Sequence, residues 1–196
     1  MRSRTSPRHV PPLAASGVVL LLLSACGYQA VADPGAAAEP TGLPITTTLH
    51  DVNGDPVGSA RVSDLAGRAR VVVSAHGLPP GYHGLHLHTI GLCEAAVGFV
   101  SAGGHLAHDN ESQHGEHTGD LPSLFIGQDG RGSLRFTTDA FTPADLVDAD
   151  GSAVMLHAGL DNFANIPSRY ATAGPDVDTR KTGDAGVRIA CGALTS

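Results

Sequence analysis

Histidine is the residue type most able to do chemistry in this chain. There are 11 histidines, and seven of them fall between His83 and His117. Uniform scatter would put about two in a window of that width, so the cluster carries information. His86 and His88 are spaced i, i+2. On a strand that spacing sends both rings to one face, within reach of a single ion. Taken alone, such a pair is better explained by two exposed histidines. The context adds His105, His108, His114 and His117, then the distant His157. Imidazole is a good ligand for copper and zinc. Asp120, three residues after His117, adds a carboxylate, and Asp161 and Arg188 lie further downstream.

Such groups meet only if the intervening elements bring them together. Short β-type runs dominate from Ile45 onward: 45–50, 57–62, 70–75, 84–90, 123–126, 133–138, 153–157 and 187–190. Each is bounded by Gly, Pro, Asn or Asp, including an Asn53-Gly54 turn. The Gly127-Gln128-Asp129-Gly130 turn makes 123–138 read as a hairpin. Val and Ile fill the core role and suit a pleated sheet. The expected fold is all-β, an eight-stranded antiparallel Greek-key sandwich or barrel. Two long stretches, 91–122 and 159–186, rich in Gly, His, Asp and Asn, are expected to be functional loops.

Composition narrows the function classes. The 196 residues are 41% apolar and 16% charged, enough for one ordinary domain with a core. A net charge of −7 opposes nucleic-acid binding, which usually shows a basic stripe. Three cysteines are too few for a disulfide-stapled scaffold.

The N-terminal stretch reads as targeting. Arg2, Arg4 and Arg8 precede an apolar run from Leu13 to Leu23, too short for a permanent membrane span. The run ends in Leu23-Ser24-Ala25-Cys26, which resembles a bacterial lipobox, with cleavage before a lipidated Cys26. The expected organisation is a lipoprotein signal peptide over 1–25, a lipidated flexible tether over 26–43 and the folded domain over 44–196. Cleavage removes three arginines and no acid, so 9 basic and 19 acidic residues remain, a net of −10. The expected location is the extracytoplasmic face of the cell membrane, held by the lipid.

Read in order, the motifs are His83-Gly84-Leu85-His86-Leu87-His88, then Gly91-Leu92-Cys93, Ser101-Ala102-Gly103-Gly104-His105, and His117-Thr118-Gly119-Asp120. After them come His157-Ala158-Gly159-Leu160-Asp161-Asn162 and Gly186-Val187-Arg188-Ile189-Ala190-Cys191-Gly192. From about residue 45 to the end this series resembles the copper/zinc superoxide dismutases, most closely the secreted bacterial lipoprotein type of actinobacteria. The resemblance implies copper ligands His86, His88, His105 and His157, with His105 bridging to zinc. It implies zinc ligands His105, His114, His117 and Asp120, although the His114–His117 spacing is shorter than the family's, and His108 is an alternative to His114. Asp161 becomes the carboxylate linking the histidines of the two metals, and His83 a non-ligand. Arg188 becomes the active-site arginine, needed as a local positive focus in an acidic protein. Arg180 and Lys181 could assist steering, but no motif assigns them. Lipidation of Cys26 leaves Cys93 and Cys191 for a disulfide, which the resemblance also implies. The implied activity is conversion of superoxide to oxygen and hydrogen peroxide by copper redox cycling, with His105 and Arg188 as catalytic residues, protecting the cell surface. The alternative is a copper- or zinc-binding surface lipoprotein without turnover, for which Arg188 and Asp161 would be superfluous. Family members pair through different surfaces, which implies a homodimer and identifies no interface.

Overall fold

The computed structural model describes residues 39–107 and 113–195. Cys26 and His108 lie outside the described residues. Eight antiparallel strands form one sheet in the order β5-β4-β7-β8-β1-β2-β3-β6. In chain order they are β1 (Thr41–Asp51), β2 (Pro56–Asp64), β3 (Ala69–His76), β4 (Gly81–His88), β5 (Asp120–Ile126), β6 (Arg131–Thr138), β7 (Ser152–His157) and β8 (Arg188–Leu194). Each predicted run lies within or overlaps one strand. β1 begins at Thr41, three residues before the expected domain start at Pro44. The connections β3–β4, β5–β6 and β6–β7 cross between the halves β1-β2-β3-β6 and β5-β4-β7-β8, a Greek-key path.

One local expectation is corrected. β5 and β6 are joined by the predicted turn, closed by Gly127 N–H donating to Arg131 O at 2.8 Å, but no hairpin ladder unites them among the described residues. They are the two ends of the sheet. They meet across the barrel seam at Gly132, where a Cβ would collide with the carbonyl of Phe125. The sheet thus curls into a nearly closed barrel.

Alternation explains why these residues build it. In β3, Ala69, Val71, Val73 and Ala75 are buried while the residues between them point outward. The interior cluster adds Leu49, Val62, Leu85, Leu87, Leu124, Ile126, Val154 and Leu156. β4 and β7 differ from the other strands because their outer faces are also covered. Leu85 and Leu87 enter the barrel core, so His86 and His88 must face out, and both are 0% exposed. The cover is the pair of long loops, observed as 89–119 and 158–187. A second apolar cluster of Phe99, Ala102, Ala153, Met155 and Cys191 lies under the first loop. A disulfide between Cys93 and Cys191, 98 residues apart, ties that loop to β8.

Candidate metal centre

His86 and His88 project from β4, His157 ends β7, and His105 arrives on the first loop through an isolated bridge between His88 and His105. One ring nitrogen from each of the four lies within 4.8 Å of the others. Three of these nitrogens, His86 Nδ1, His88 Nε2 and His157 Nε2, are buried without a hydrogen-bond partner. Buried polar atoms are normally paired. An unpaired convergent set therefore fits a cation of imidazole preference.

The opposite ring nitrogens are fixed by partners. His88 Nδ1 is 3.0 Å from Gly103 O, and His157 Nδ1 is 2.9 Å from Gly186 O. Both contacts settle the tautomer, with Nδ1–H donating to a carbonyl and Nε2 left as a lone pair. His86 Nε2 is 2.7 Å from Asp161 Oδ2. His83 is buried but directs its nitrogens to the carbonyls of His157 and Pro79, both at 2.8 Å, away from the cluster. It braces β7 against the turn before β4.

A second cluster abuts the first. His86, His105, His114 and Asp120 also offer ligand atoms within 4.8 Å of one another. His105 Nδ1 lies 2.9 Å and His114 Nδ1 3.1 Å from Asp120 Oδ1. His117 stands at the edge of this set, its Nδ1 3.3 Å from Asp120 Oδ1. Asp120 Oδ2 accepts the backbone N–H of Gly115 at 2.6 Å and of His117 at 3.1 Å. The carboxylate thus caps the tight turn that brings the closely spaced His114 and His117 to one place. Asp161 links both clusters, reaching His86 with Oδ2 and His114 Nε2 with Oδ1 at 2.6 Å. Gly183 (φ +59°) makes room for that link, since a Cβ there would overlap both Asp161 and His114.

Charge distinguishes the two clusters. Burial and neighbouring cationic side chains lower His157 to about 3. Burial lowers His105 to about 4, only partly opposed by Asp120. His88 is driven lower still, mainly by burial. These rings are neutral at pH 7, the state a ligand needs. His114 behaves in the opposite way. Burial disfavours its charge, but hydrogen bonds to Asp120 and Asp161 outweigh that and raise it to about 9. Burial likewise opposes ionisation of Asp120 and Asp161, yet their histidine partners hold both well below the ordinary carboxylate range.

A cavity of about 680 Å³ opens onto the clusters, lined by His105, His117, His157, Arg180, Lys181 and Arg188 among others. Arg188 is held in place by donating to the carbonyls of Phe99 and Gly103, the latter at 2.6 Å. Its burial disfavours the charge, lowering its pKa. The sequence carries no signal for these anchoring carbonyls or for the role of Gly183. They become visible only when the first loop folds back over β8.

An antiparallel barrel with two imidazole-rich clusters that share His86 and His105, opened by an arginine-lined cavity, defines a metal-binding protein. A family model of copper/zinc superoxide dismutase matches residues 57–194. A superoxide dismutase [Cu-Zn] of Mycolicibacterium paratuberculosis is 40% identical, covering 96% of this chain and 98% of its own. That of Mycobacterium tuberculosis is 43% identical over 78% of this chain and 70% of its own. Among solved structures, the Cu/Zn superoxide dismutase from Brucella abortus aligns with a TM-score of 0.61 at 26% identity, covering 78% of this chain and 99% of that one. The chain belongs to the copper/zinc superoxide dismutase family. It is an oxidoreductase whose substrate is superoxide and whose cofactors are copper and zinc.

Proposed function

We propose that His86 Nδ1, His88 Nε2, His157 Nε2 and the free face of His105 hold copper, and that His105 Nδ1, His114, His117 and Asp120 hold zinc. The observation that carries the copper set is the trio of buried, unpartnered ring nitrogens beside His105. The zinc set is supported by the Nδ1 atoms of three histidines gathered on one carboxylate of depressed pKa. Copper held there would supply the one-electron couple for oxidising one superoxide and reducing a second. The side chains do the rest. Arg188, aimed by Phe99 and Gly103, docks the anion with charge-assisted hydrogen bonds. His105 Nδ1 lies on the Asp120 side, which leaves Nε2 to face the copper set and to pass a proton taken from water to the peroxide formed. Asp161 holds His86 and His114 at fixed orientation. Arg180 and Lys181, on the cavity wall, add positive potential to an otherwise acidic protein.

The same reading places the enzyme at the extracytoplasmic face of the membrane, anchored through lipidated Cys26 after removal of residues 1–25, where it protects the cell surface. Support comes from the Arg-rich start, the apolar run and the small residues before Cys26. A homodimer is part of the proposal, with no surface assigned. The test combines metal quantification with superoxide consumption on one sample. His157→Ala is expected to lose copper and activity together, and undiminished activity at measured copper content refutes the ligand set. Mass spectrometry of the mature N-terminal peptide tests the anchor; a diacylglyceryl group on Cys26 is expected, and an unmodified cysteine refutes it.

A further inference from the structure

Positive charge is concentrated on one side of the barrel far from the cavity. The register sets Arg61 beside Val72 and Val72 beside Arg135 in one cross-strand row. Arg70 faces Thr137 in a neighbouring row, and His76 faces Arg131 in another. Arg61, Arg131 and Arg135 are exposed. Among the described residues, none of these three guanidinium groups has a carboxylate oxygen within 4.0 Å. The remaining exposed positions of β2, β3 and β6 are proline, serine or threonine, the half-buried Val72 lies among them, and none of these is acidic. The nearby acids sit at the strand ends and in the turns: Asp64, the last residue of β2, caps Gly67 N–H at 2.9 Å, and Asp129 caps Arg131 N–H at 3.1 Å. Asp139 follows β6 directly. In a chain of net charge −7, an acid-free face carrying four arginines is a marked separation of charge.

The sheet order fixes where this face points. With β5 and β6 meeting at the seam, β2 and β3 lie across the barrel from β4 and β7, which carry the histidines on their outer surfaces. β1, where the chain enters the domain, belongs to the arginine half. The 15 residues from Cys26 to Pro40 are rich in Ala, Gly and Pro.

We infer that the outer face of β2-β3-β6 docks on an anionic phospholipid bilayer. The guanidinium groups of Arg61, Arg131 and Arg135 meet lipid phosphates, a match of charge and geometry that favours arginine. The inference rests on the Cys26 anchor for its short tether, and charge complementarity supplies the rest. Docking this way turns the cavity and Arg188 away from the bilayer. The enzyme then samples superoxide from the medium and not from the negatively charged lipid surface, which repels that anion.

The experiment uses the full chain as recovered from membranes, with a donor dye on Ser133→Cys and, separately, on Val187→Cys. Vesicles carry acceptor-labelled headgroups in phosphatidylcholine, with or without phosphatidylglycerol. Ser133 lies on the arginine face and Val187 beside Arg188. Energy transfer from Ser133 is expected in phosphatidylglycerol vesicles at low salt, with its loss at high salt and weak transfer from Val187 throughout. Arg61→Gln/Arg131→Gln/Arg135→Gln should weaken the docked state about 100-fold while leaving dismutation in solution unchanged. Equal transfer from Ser133 in both vesicle types, or transfer insensitive to the triple variant, overturns the inference. Salt-sensitive binding to soluble poly(glycerol phosphate) without transfer to vesicles also overturns it in favour of another polyanion. So does a triple variant that changes only the sedimentation of the protein, which would point to a second copy. Flotation with the vesicles judges the anchor separately. A chain that does not float at high salt but shows transfer to added phosphatidylglycerol vesicles at low salt refutes the anchor and supports the face.

Discussion

Zinc uptake is expected to release a proton at pH 7, whereas three of the four proposed copper ligands release none. The perturbation is titration of metal into metal-free protein. His114 lies between the carboxylates of Asp120 and Asp161, which raise it to about 9. At pH 7 it is therefore almost fully protonated, and a metal at its Nδ1 must displace that proton. Two pH units correspond to about 2.7 kcal/mol of competition, or about 100-fold in apparent affinity. Zinc affinity should rise about tenfold per unit from pH 7 to 9 and then level off. His157, at about 3, and His105, at about 4, are already neutral at pH 7, and His88 lies lower still. Calorimetry in two buffers of different ionisation enthalpy counts the protons. At least one proton per zinc is expected. Zinc binding without proton release, or copper displacing a proton from each of these three rings, refutes the reasoning.

The remaining expectations concern stability and turnover. For metal-free protein the signs oppose each other. His105 and His157 have folded-state values below those of the unfolded chain, so they withdraw stability as pH falls from about 6.5 toward 4; His114 adds stability that is lost as pH rises through about 9. Urea unfolding across pH 4–10 should show both limbs, and a flat profile contradicts them. Cys93→Ser/Cys191→Ser opens a closure of 98 residues, which chain entropy values at up to about 4.7 kcal/mol, and a loss below about 1 kcal/mol in denaturant titration counts against the argument. Arg188→Ala should cut the rate about 10- to 100-fold with copper content unchanged, the value of a hydrogen bond to a charged group. Gly183→Ala pushes a Cβ into Asp161 and His114 and should lower zinc content, measured by mass spectrometry, more than copper content.

What could be read in the sequence was local. His86 and His88 alternate with Leu85 and Leu87, so one stretch announces a strand, a core face and a ligand pair at once. The β5–β6 turn was equally plain, yet it did not reveal that its strands close a barrel instead of a hairpin, because pairing is decided by the whole sheet and not by four turn residues. The zinc-side turn shows the same limit. Two residues between His114 and His117 look too few for the family pattern. The compensation, Asp120 capping the turn with one oxygen and facing the histidines with the other, depends on side-chain geometry that no spacing encodes. Arg188 carried a motif, but its aim comes from carbonyls about 85 and 89 residues away in sequence.

The long-range contacts also explain why two long loops can hold a precise site. Each loop is long, and long loops are the usual place for conformational freedom. Here each is fastened at several points. The first is bonded to β8 by the disulfide, to Arg188 through Phe99 and Gly103, and to β4 through Leu87, whose backbone bonds both Gly119 and Leu106. The second is bonded to the first through Arg180 O and the His114 N–H, and through Asp161 and the His114 ring. His114 is thus both a ligand candidate and the clasp between the loops. Placing it between two carboxylates keeps that clasp charged and paired when no metal is held, so the site remains organised while metal is exchanged for a proton.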